Sequence, residues 1–403
     1  MKIEEKFLKN MSYQKYQNKR PSDYEPQMSV IISAPDRTLL VVVAFLVILG
    51  IMAIFSASAP KCMEMGINPA KFAFNQILFL VIGFLGLKFF TNYNYKNLVP
   101  TTMIFAIFVL VLLALVNYTP LGVTVNEAKR WINIGFFQFQ PSEFAKPAVV
   151  LLLASAFYKN CEVNSSKWIY FLPILAMIFM VFEQPNLSMV ILLGMTSLIM
   201  YISAGGPLKV FVGLGAAAIF AVFTASATNI IKPYQLSRIT TWINPEADPL
   251  GAGYNVIQSL VAFATGGFWG VGYGSSKQKL AWLPEAHTDF IFAVIGEELG
   301  FIGCLLVIGL FLTLIHRGLL IAARCPDMYG KLLATGITFS IGFQAFLNMS
   351  VASSFLPATG VPLPFISYGG SSLMVSMFMV GILLNISKKR VKKIRVNSNV
   401  RHI

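Results

Sequence analysis

The sequence predicts an all-α polytopic membrane protein with ten transmembrane helices and a large extracytoplasmic loop between helices 7 and 8. Three observations carry that class. Of 403 residues, 56% are hydrophobic and only 12% are charged, more apolar than a water-soluble domain of ordinary composition. Apolar runs recur from residue 38 to residue 387, most of them near the length that crosses a hydrocarbon layer. With both termini in the cytoplasm, 22 of the 31 Lys and Arg residues fall on the cytoplasmic side and 9 on the other, the asymmetry that the positive-inside rule requires.

The first 37 residues are polar, contain Pro21, Pro26 and Pro35, and have no apolar segment beside the start. They predict a poorly ordered cytoplasmic arm and no cleavable signal peptide. Spans are expected over 38–57, 72–90, 98–116, 144–158, 168–183, 186–203, 208–228, 290–315, 332–348 and 372–387. The membrane domain, 38–388, then passes into a basic cytoplasmic tail, 389–403. The net charge of +14 sits mainly in the arm and in Lys388–Arg395, so it speaks for topology and for attraction to anionic membrane lipids rather than to nucleic acid.

Cys62, Cys161, Cys304 and Cys325 fall in different loops and spans, and His287, His316 and His402 are equally scattered. Neither a disulfide framework nor a metal cluster is expected from them. No repeat at a solenoid period and no inverted halves are visible.

Two outer connections are longer than a connector needs. The first, 117–143, contains Lys129-Arg130-Trp131 and ends in Gln140-Pro141-Ser142-Glu143-Phe144-Ala145-Lys146-Pro147. Ser142 is placed to cap the fourth span. Glu143 and Lys146, three apart on one helical face, suit a local ion pair; Lys146 and Arg130 also stand where an anionic headgroup would meet them. The second, 229–289, is roughly sixty residues, far beyond an ordinary loop. Its amphipathic stretch Tyr254–Phe263 reads as an interfacial helix, with Trp242, Trp269 and Trp282 in the headgroup layer. The glycines between Gly266 and Gly274 lack the strand-to-helix setting of a phosphate loop; they let a backbone turn sharply or approach a lipid headgroup closely.

The acidic segment Leu283-Pro284-Glu285-Ala286-His287-Thr288-Asp289-Phe290, followed by Glu297-Glu298, places ionisable groups at the membrane, where they are costly and usually mark function. Thr288 or Asp289 could serve simply as a helix cap. Glu297 lies about 12 Å deeper along a helix, and neither it nor Glu298 is explained by capping. Each needs a cation, polar partners or a proton, with Lys146 and Arg238 as candidate partners. A carboxylate beside cations suits chemistry on a lipid-linked phosphate substrate: it can deprotonate a hydroxyl while the cations stabilise a pyrophosphate leaving group. A translocation path would use the same residue types.

Leu283–Phe292 with Glu297-Glu298-Leu299-Gly300, Gln140–Lys146, and Gly360-Val361-Pro362-Leu363-Pro364-Phe365-Ile366-Ser367-Tyr368-Gly369-Gly370-Ser371-Ser372 together resemble the motifs of the SEDS family, in order and across residues 38–388. The resemblance implies a peptidoglycan glycosyltransferase that polymerises lipid II on the outer face of the cytoplasmic membrane. The implied partners are a class B penicillin-binding protein with transpeptidase activity and other divisome proteins. The wording around Ala286–Glu297 is closer to the septal, cell-division branch than to the elongation branch. Lipid II flippase and non-enzymatic scaffold are the competing readings.

By the same resemblance Asp289 is the catalytic base. Lys146, Arg130 and Arg238 contact pyrophosphate; Glu143, Glu285 and His287 also belong to the substrate site. Ser367 and its glycine-rich neighbours form a cavity wall with hydrogen bonds to donate. Glu297 and Glu298 are supporting residues that position the cations. No cofactor is specified, although a divalent cation bridging pyrophosphate and carboxylates stays open. Asn186 and Ser188 depart from the family's usual Asp and Gly, which points to a structural rather than a catalytic role there. Ser354 stands where the family commonly has Gly or Thr.

Overall fold

The computed structural model describes residues 27–125, 128–133, 135, 138–159, 168–207, 209, 213, 240–251, 253–280 and 283–394. The helices are α1 (Arg37–Glu64), α2 (Lys71–Asn92), α3 (Leu98–Tyr118), α4 (Pro141–Lys159), α5 (Trp168–Glu183), α6 (Leu187–Ser203), α7 (Tyr254–Gly266), α8 (Ile291–Arg324), α9 (Met328–Ala352) and α10 (Gly370–Ser387). Nine of the ten expected spans coincide with described helices; the seventh, 208–228, lies outside the described residues except for 209 and 213. Among the described helices six are long and apolar enough to cross a membrane.

These helices are apolar all round rather than amphipathic. α1 buries Leu39, Leu46 and Ile54 against the bundle yet exposes Leu40, Phe45 and Phe55 on its other face, the pattern of a helix whose solvent is lipid. α10 is the central post, with 94% of its length buried. Glycines bring it close to α2: a Cβ on Gly86 would lie 1.9 Å from Phe378, and one on Gly370 would lie 2.3 Å from Phe79. Small residues at such crossings maximise dispersion where no hydrophobic effect operates.

One end of the bundle carries a two-stranded ribbon. Strand β1 (Gln27–Ile32) pairs antiparallel with β5 (Lys389–Ile394), Gln27 opposite Ile394 and Ile32 opposite Lys389. Part of the expected disordered arm is therefore a strand, because the tail supplies the ladder partner that the arm's own sequence lacks. Beside this ribbon Asp36 caps α1, accepting from the Leu39 amide at 3.0 Å, and pairs with Arg317 of α8.

The opposite end carries the long connections. The first is a three-stranded antiparallel sheet of β2 (Gly122–Val125), β3 (Ala128–Asn133) and β4 (Gln138–Phe139), in the order β2-β3-β4. Within the second, α7 is the expected short helix, and its Ser259 hydroxyl donates to the Ala352 carbonyl at the end of α9. After α9, residues 361–367 fold back into the bundle as a buried irregular turn. Gly50 of α1 admits it, since a Cβ there would sit 2.4 Å from the Phe365 carbonyl oxygen.

α8 departs from expectation. It runs to Arg324 and is broken at Gly300, where φ is 67° and ψ is −164°. The Gly266–Gly272 backbone fills the break: the Val271 and Gly272 amides donate to the Glu297 and Glu298 carbonyls, each at 3.0 Å, and the Phe301 amide donates to Gly267 at 2.9 Å. The orphan groups of two helix ends are thus satisfied by one loop. A Cβ on Gly270 would lie 2.2 Å from the Glu298 carbonyl oxygen, so this glycine is required for backbone-to-backbone approach within the chain rather than to a lipid headgroup.

Candidate functional site

At the end opposite the ribbon, Asp289 and Arg130 converge on Gly360. The position a Gly360 Cβ would take is 3.4 Å from Asp289 Oδ2 and 3.7 Å from Arg130 Nη1. Both charged residues are half-buried. Arg130 projects from β3 and is anchored by its other nitrogens: Nε donates to the Gln184 carbonyl at 2.9 Å and Nη2 to the Pro185 carbonyl at 2.5 Å. Gln184 is itself held by its Nε2, which donates to Asn117 Oδ1 at 2.8 Å. Fixing two edges of the guanidinium leaves Nη1 aimed at the Gly360 region, a pre-organised cation.

Asp289 lies between two clamps. Asn348 of α9, 1% exposed, donates through Nδ2 to the Asp289 carbonyl at 2.9 Å and to the Val361 carbonyl at 2.8 Å. On the preceding residues, the Ser367 hydroxyl donates to Thr288 O at 2.5 Å and accepts from the Leu363 amide at 2.8 Å, while the Tyr368 amide donates to His287 O at 2.9 Å. Ser367 thus joins the acidic segment to the irregular turn, its hydroxyl committed within the protein. Gln76 of α2 and Gln344 of α9 complete the turn's hydrogen bonding, with Gln76 donating to Ser367 O and Gln344 to Pro362 O. Irregular backbone at this depth persists because buried amides pair it. Neither Thr288 nor Asp289 caps α8; Phe290 occupies the N-cap without a side-chain bond.

Lys146 and Glu143 form the expected pair, with Nζ 2.5 Å from Oε2, but both side chains are 1% exposed or less. Lys146 Nζ also donates to Gln344 Oε1 at 2.6 Å, which ties α4 to α9 and, through Gln344, to the turn. Glu143 accepts no hydrogen bond of good geometry from any other described group, so its burial depends on Lys146. Ser142 does not cap α4: the helix starts at Pro141, and the Ser142 hydroxyl is buried without a partner.

The deeper carboxylates are partnered by residues that the sequence did not single out. Glu298, 3% exposed, accepts from Lys279 Nζ at 2.8 Å and from Ser56 Oγ of α1 at 2.5 Å. Glu297, fully buried, accepts from the Ser276 hydroxyl and from the Lys277 and Gln278 amides at 2.9 and 3.3 Å. Among the described residues their partners are therefore this loop and α1 rather than the Lys146 that the sequence put forward. Arg238, like Trp282 and Cys161, lies outside the described residues.

His287 is buried, edge-on to Phe72 at 5.0 Å and near Tyr368 at 5.8 Å. Burial, reinforced by the Lys61 charge and opposed by Glu285, pushes its imidazole down to about 4. Glu285 sits at φ 53° and its carboxylate accepts from Thr288 Oγ1 at 2.9 Å. Asn186 caps α6, its Oδ1 accepting from the Met189 amide at 3.3 Å, a structural use that Asn serves as well as Asp. Among the described residues no three His, Cys, Asp or Glu side chains group as a metal site.

The amides that hold the turn were readable in principle: Gln344 and Asn348 are four apart, hence on one face of an otherwise apolar helix. Nothing in the linear sequence marked Gln76 as a partner of the turn, or Ser56 and Lys279 as partners of Glu298.

The profile of the FtsW/RodA/SpoVE family, described as cell cycle protein, matches residues 36–392. A probable peptidoglycan glycosyltransferase FtsW of Trichlorobacter lovleyi is 38% identical over 357 residues, covering 87% of this chain and 93% of the relative. Stage V sporulation protein E of Bacillus subtilis is also 38% identical, covering 88% and 98%. Among solved structures, a chain from work on the structural coordination of polymerization and crosslinking by a peptidoglycan synthase complex aligns with TM-score 0.71 at 29% identity, covering 88% of this chain and 98% of that one. The rod shape determining protein RodA of Thermus thermophilus aligns with TM-score 0.64 at 26% identity, covering 88% and 97%. The protein whose Asp289 and Arg130 meet at Gly360 belongs to the SEDS family of polytopic membrane proteins, the FtsW/RodA/SpoVE cell cycle proteins.

Proposed function

We propose that this protein is a peptidoglycan glycosyltransferase that polymerises lipid II into β-1,4-linked glycan during septal wall synthesis. The observation that carries it is the Asp289 carboxylate and Arg130 guanidinium facing one point beside Gly360, in a chain 38% identical over most of its length to a relative named for that activity. The ribbon end is the cytoplasmic end and this site is external, in keeping with the charge asymmetry.

Asp289 takes the proton from the 4-hydroxyl of the acceptor GlcNAc as that oxygen attacks C1 of the donor MurNAc. The bond from C1 to the phosphate oxygen breaks, undecaprenyl pyrophosphate leaves with the electron pair, and the anomeric centre inverts from α to β. Arg130 Nη1 offers charge to the leaving pyrophosphate. Lys146, enclosed with Glu143 and Gln344, serves beneath the site as a structural cation, while Ser367, His287 and Glu285 shape the acidic segment. Arg238 is proposed as a further outer cation from the sequence alone. A class B transpeptidase works beside this chain and crosslinks the product.

The test is polymerisation of labelled lipid II by the purified protein with its cognate transpeptidase, comparing wild type with Asp289→Asn and Arg130→Gln at matched folding. Long strands from wild type, none from Asp289→Asn and a large loss in Arg130→Gln are expected. Equal products from Asp289→Asn would remove the base assignment; no product from wild type would favour lipid transport or scaffolding.

A further inference from the structure

Asp289 is followed, two residues on, by a helical segment detached from the span below it. Residues 291–299 end at the Gly300 break, where Gly266–Gly272 inserts its backbone. An uninterrupted α8 would fix Asp289 through the rigidity of a long helix. Cutting that helix leaves the segment's placement to lateral contacts.

The contacts on its last turn are short and buried. Lys279 Nζ lies 2.8 Å from Glu298 Oε1 and 2.7 Å from Ser56 Oγ, and Ser56 Oγ lies 2.5 Å from the same Oε1. The side chains of Lys279 and Glu298 are 6% and 4% exposed. Three elements meet in this triangle: α1, the loop after the glycines, and the segment that starts at Asp289. A buried ion pair stabilises little by comparison with well-packed apolar residues, because desolvation consumes the attraction; what it does well is enforce one arrangement.

We propose that the Lys279–Glu298 pair, closed by Ser56, is a positioning device for Asp289, setting the tilt and register of residues 291–299 against α1. This rests on the reading of Asp289 as the general base. Glu298 stands seven residues along the helix from its start at Ile291, two residues after Asp289, a lever of about 11 Å. A tilt of about 10° on that lever displaces the carboxylate by about 2 Å, and misplacement by about 1 Å is enough for a hundredfold loss of rate. Lys279 and Glu298 touch no substrate in this scheme.

The experiment uses the full chain with its transpeptidase and measures initial rates against lipid II concentration. Lys279→Met with Glu298→Gln removes both charges while keeping side-chain size, so the fold is retained, as a thermal unfolding midpoint near wild type would verify. The expected result is a fall of tenfold or more in kcat with KM unchanged, and partial recovery in the charge-reversed variant Lys279→Glu with Glu298→Lys. Wild-type kcat in the neutral double variant would overturn the proposal, as would a rise in KM alone, which would place the pair in substrate binding. Asp289→Asn is run in parallel: its retaining wild-type rate would bring down the base assignment itself, an outcome separate from failure of the pair.

Discussion

Asn348 holds the two halves of the site together, its single amide nitrogen donating to the carbonyl of Asp289 at 2.9 Å and to that of Val361 at 2.8 Å. Replacing it by Leu removes both bonds, and the loss at the buried Val361 carbonyl alone costs roughly 1–3 kcal/mol. Asn348→Leu is expected to insert in the membrane but to polymerise lipid II at least tenfold more slowly. Wild-type rates would show that the two segments hold their positions unaided.

The pairing of Lys146 with Glu143 makes opposite forecasts for single and double changes. Lys146→Met strands a carboxylate that is 1% exposed, an uncompensated buried charge worth roughly 3–5 kcal/mol. Adding Glu143→Gln should return most of the lost stability, as measured by thermal unfolding in detergent. A double variant no more stable than the single one would mean that Lys146 acts mainly through Gln344.

His287 sets a pH dependence. Its pKa is depressed in the folded protein to about 4, below the ordinary value of about 6.5, so between those values the unfolded chain binds the proton that the folded one refuses. Stability is then complete above pH 6.5, falls as the pH drops to 4, and levels off below, with a total near 3 kcal/mol at most. His287→Phe, which keeps a ring beside Phe72, should flatten that slope; an unchanged slope would assign it to other groups.

Gly360 adjoins both the Asp289 carboxylate and the Arg130 guanidinium. A methyl group there meets Asp289 Oδ2 at 3.4 Å and Arg130 Nη1 at 3.7 Å, ordinary contact distances. Gly360→Ala is therefore expected to fold and to retain activity, whereas Gly360→Leu should fold yet abolish polymerisation by filling the space between the two charges. Full activity in the Leu variant would place the reacting sugar elsewhere.

Ser354 sits at φ 58°, left-handed backbone that costs a residue with a Cβ about 1 kcal/mol. Ser354→Gly should stabilise the protein by about that amount, since the Trp242 bond to this position uses the Ser354 carbonyl and survives the change. A lower unfolding midpoint would show that the hydroxyl has its own role.

Apolar periodicity was enough to locate the nine described helices that match expected spans. A span must hide its backbone and present apolar side chains over a fixed length, so its signature is local; even the ion pair of Glu143 with Lys146 was readable from a spacing of three. Family-like motifs singled out Asp289, Arg130 and the Gly360 turn, but not their mutual arrangement. Convergence of β3, the residues before α8 and the turn after α9 depends on contacts between segments distant in the chain. The break in α8 was equally invisible: Gly300 in isolation reads as a tolerated helix glycine, and only the inserted Gly266–Gly272 backbone, which satisfies the severed hydrogen bonds, makes the break stable. For the same reason the sequence marked Glu297 and Glu298 as groups needing partners, because the cost of burying charge is a property of the residue. That Lys279, Ser56 and the amides of Lys277 and Gln278 are those partners was decided by the packing of α1 and the outer loop against the broken helix.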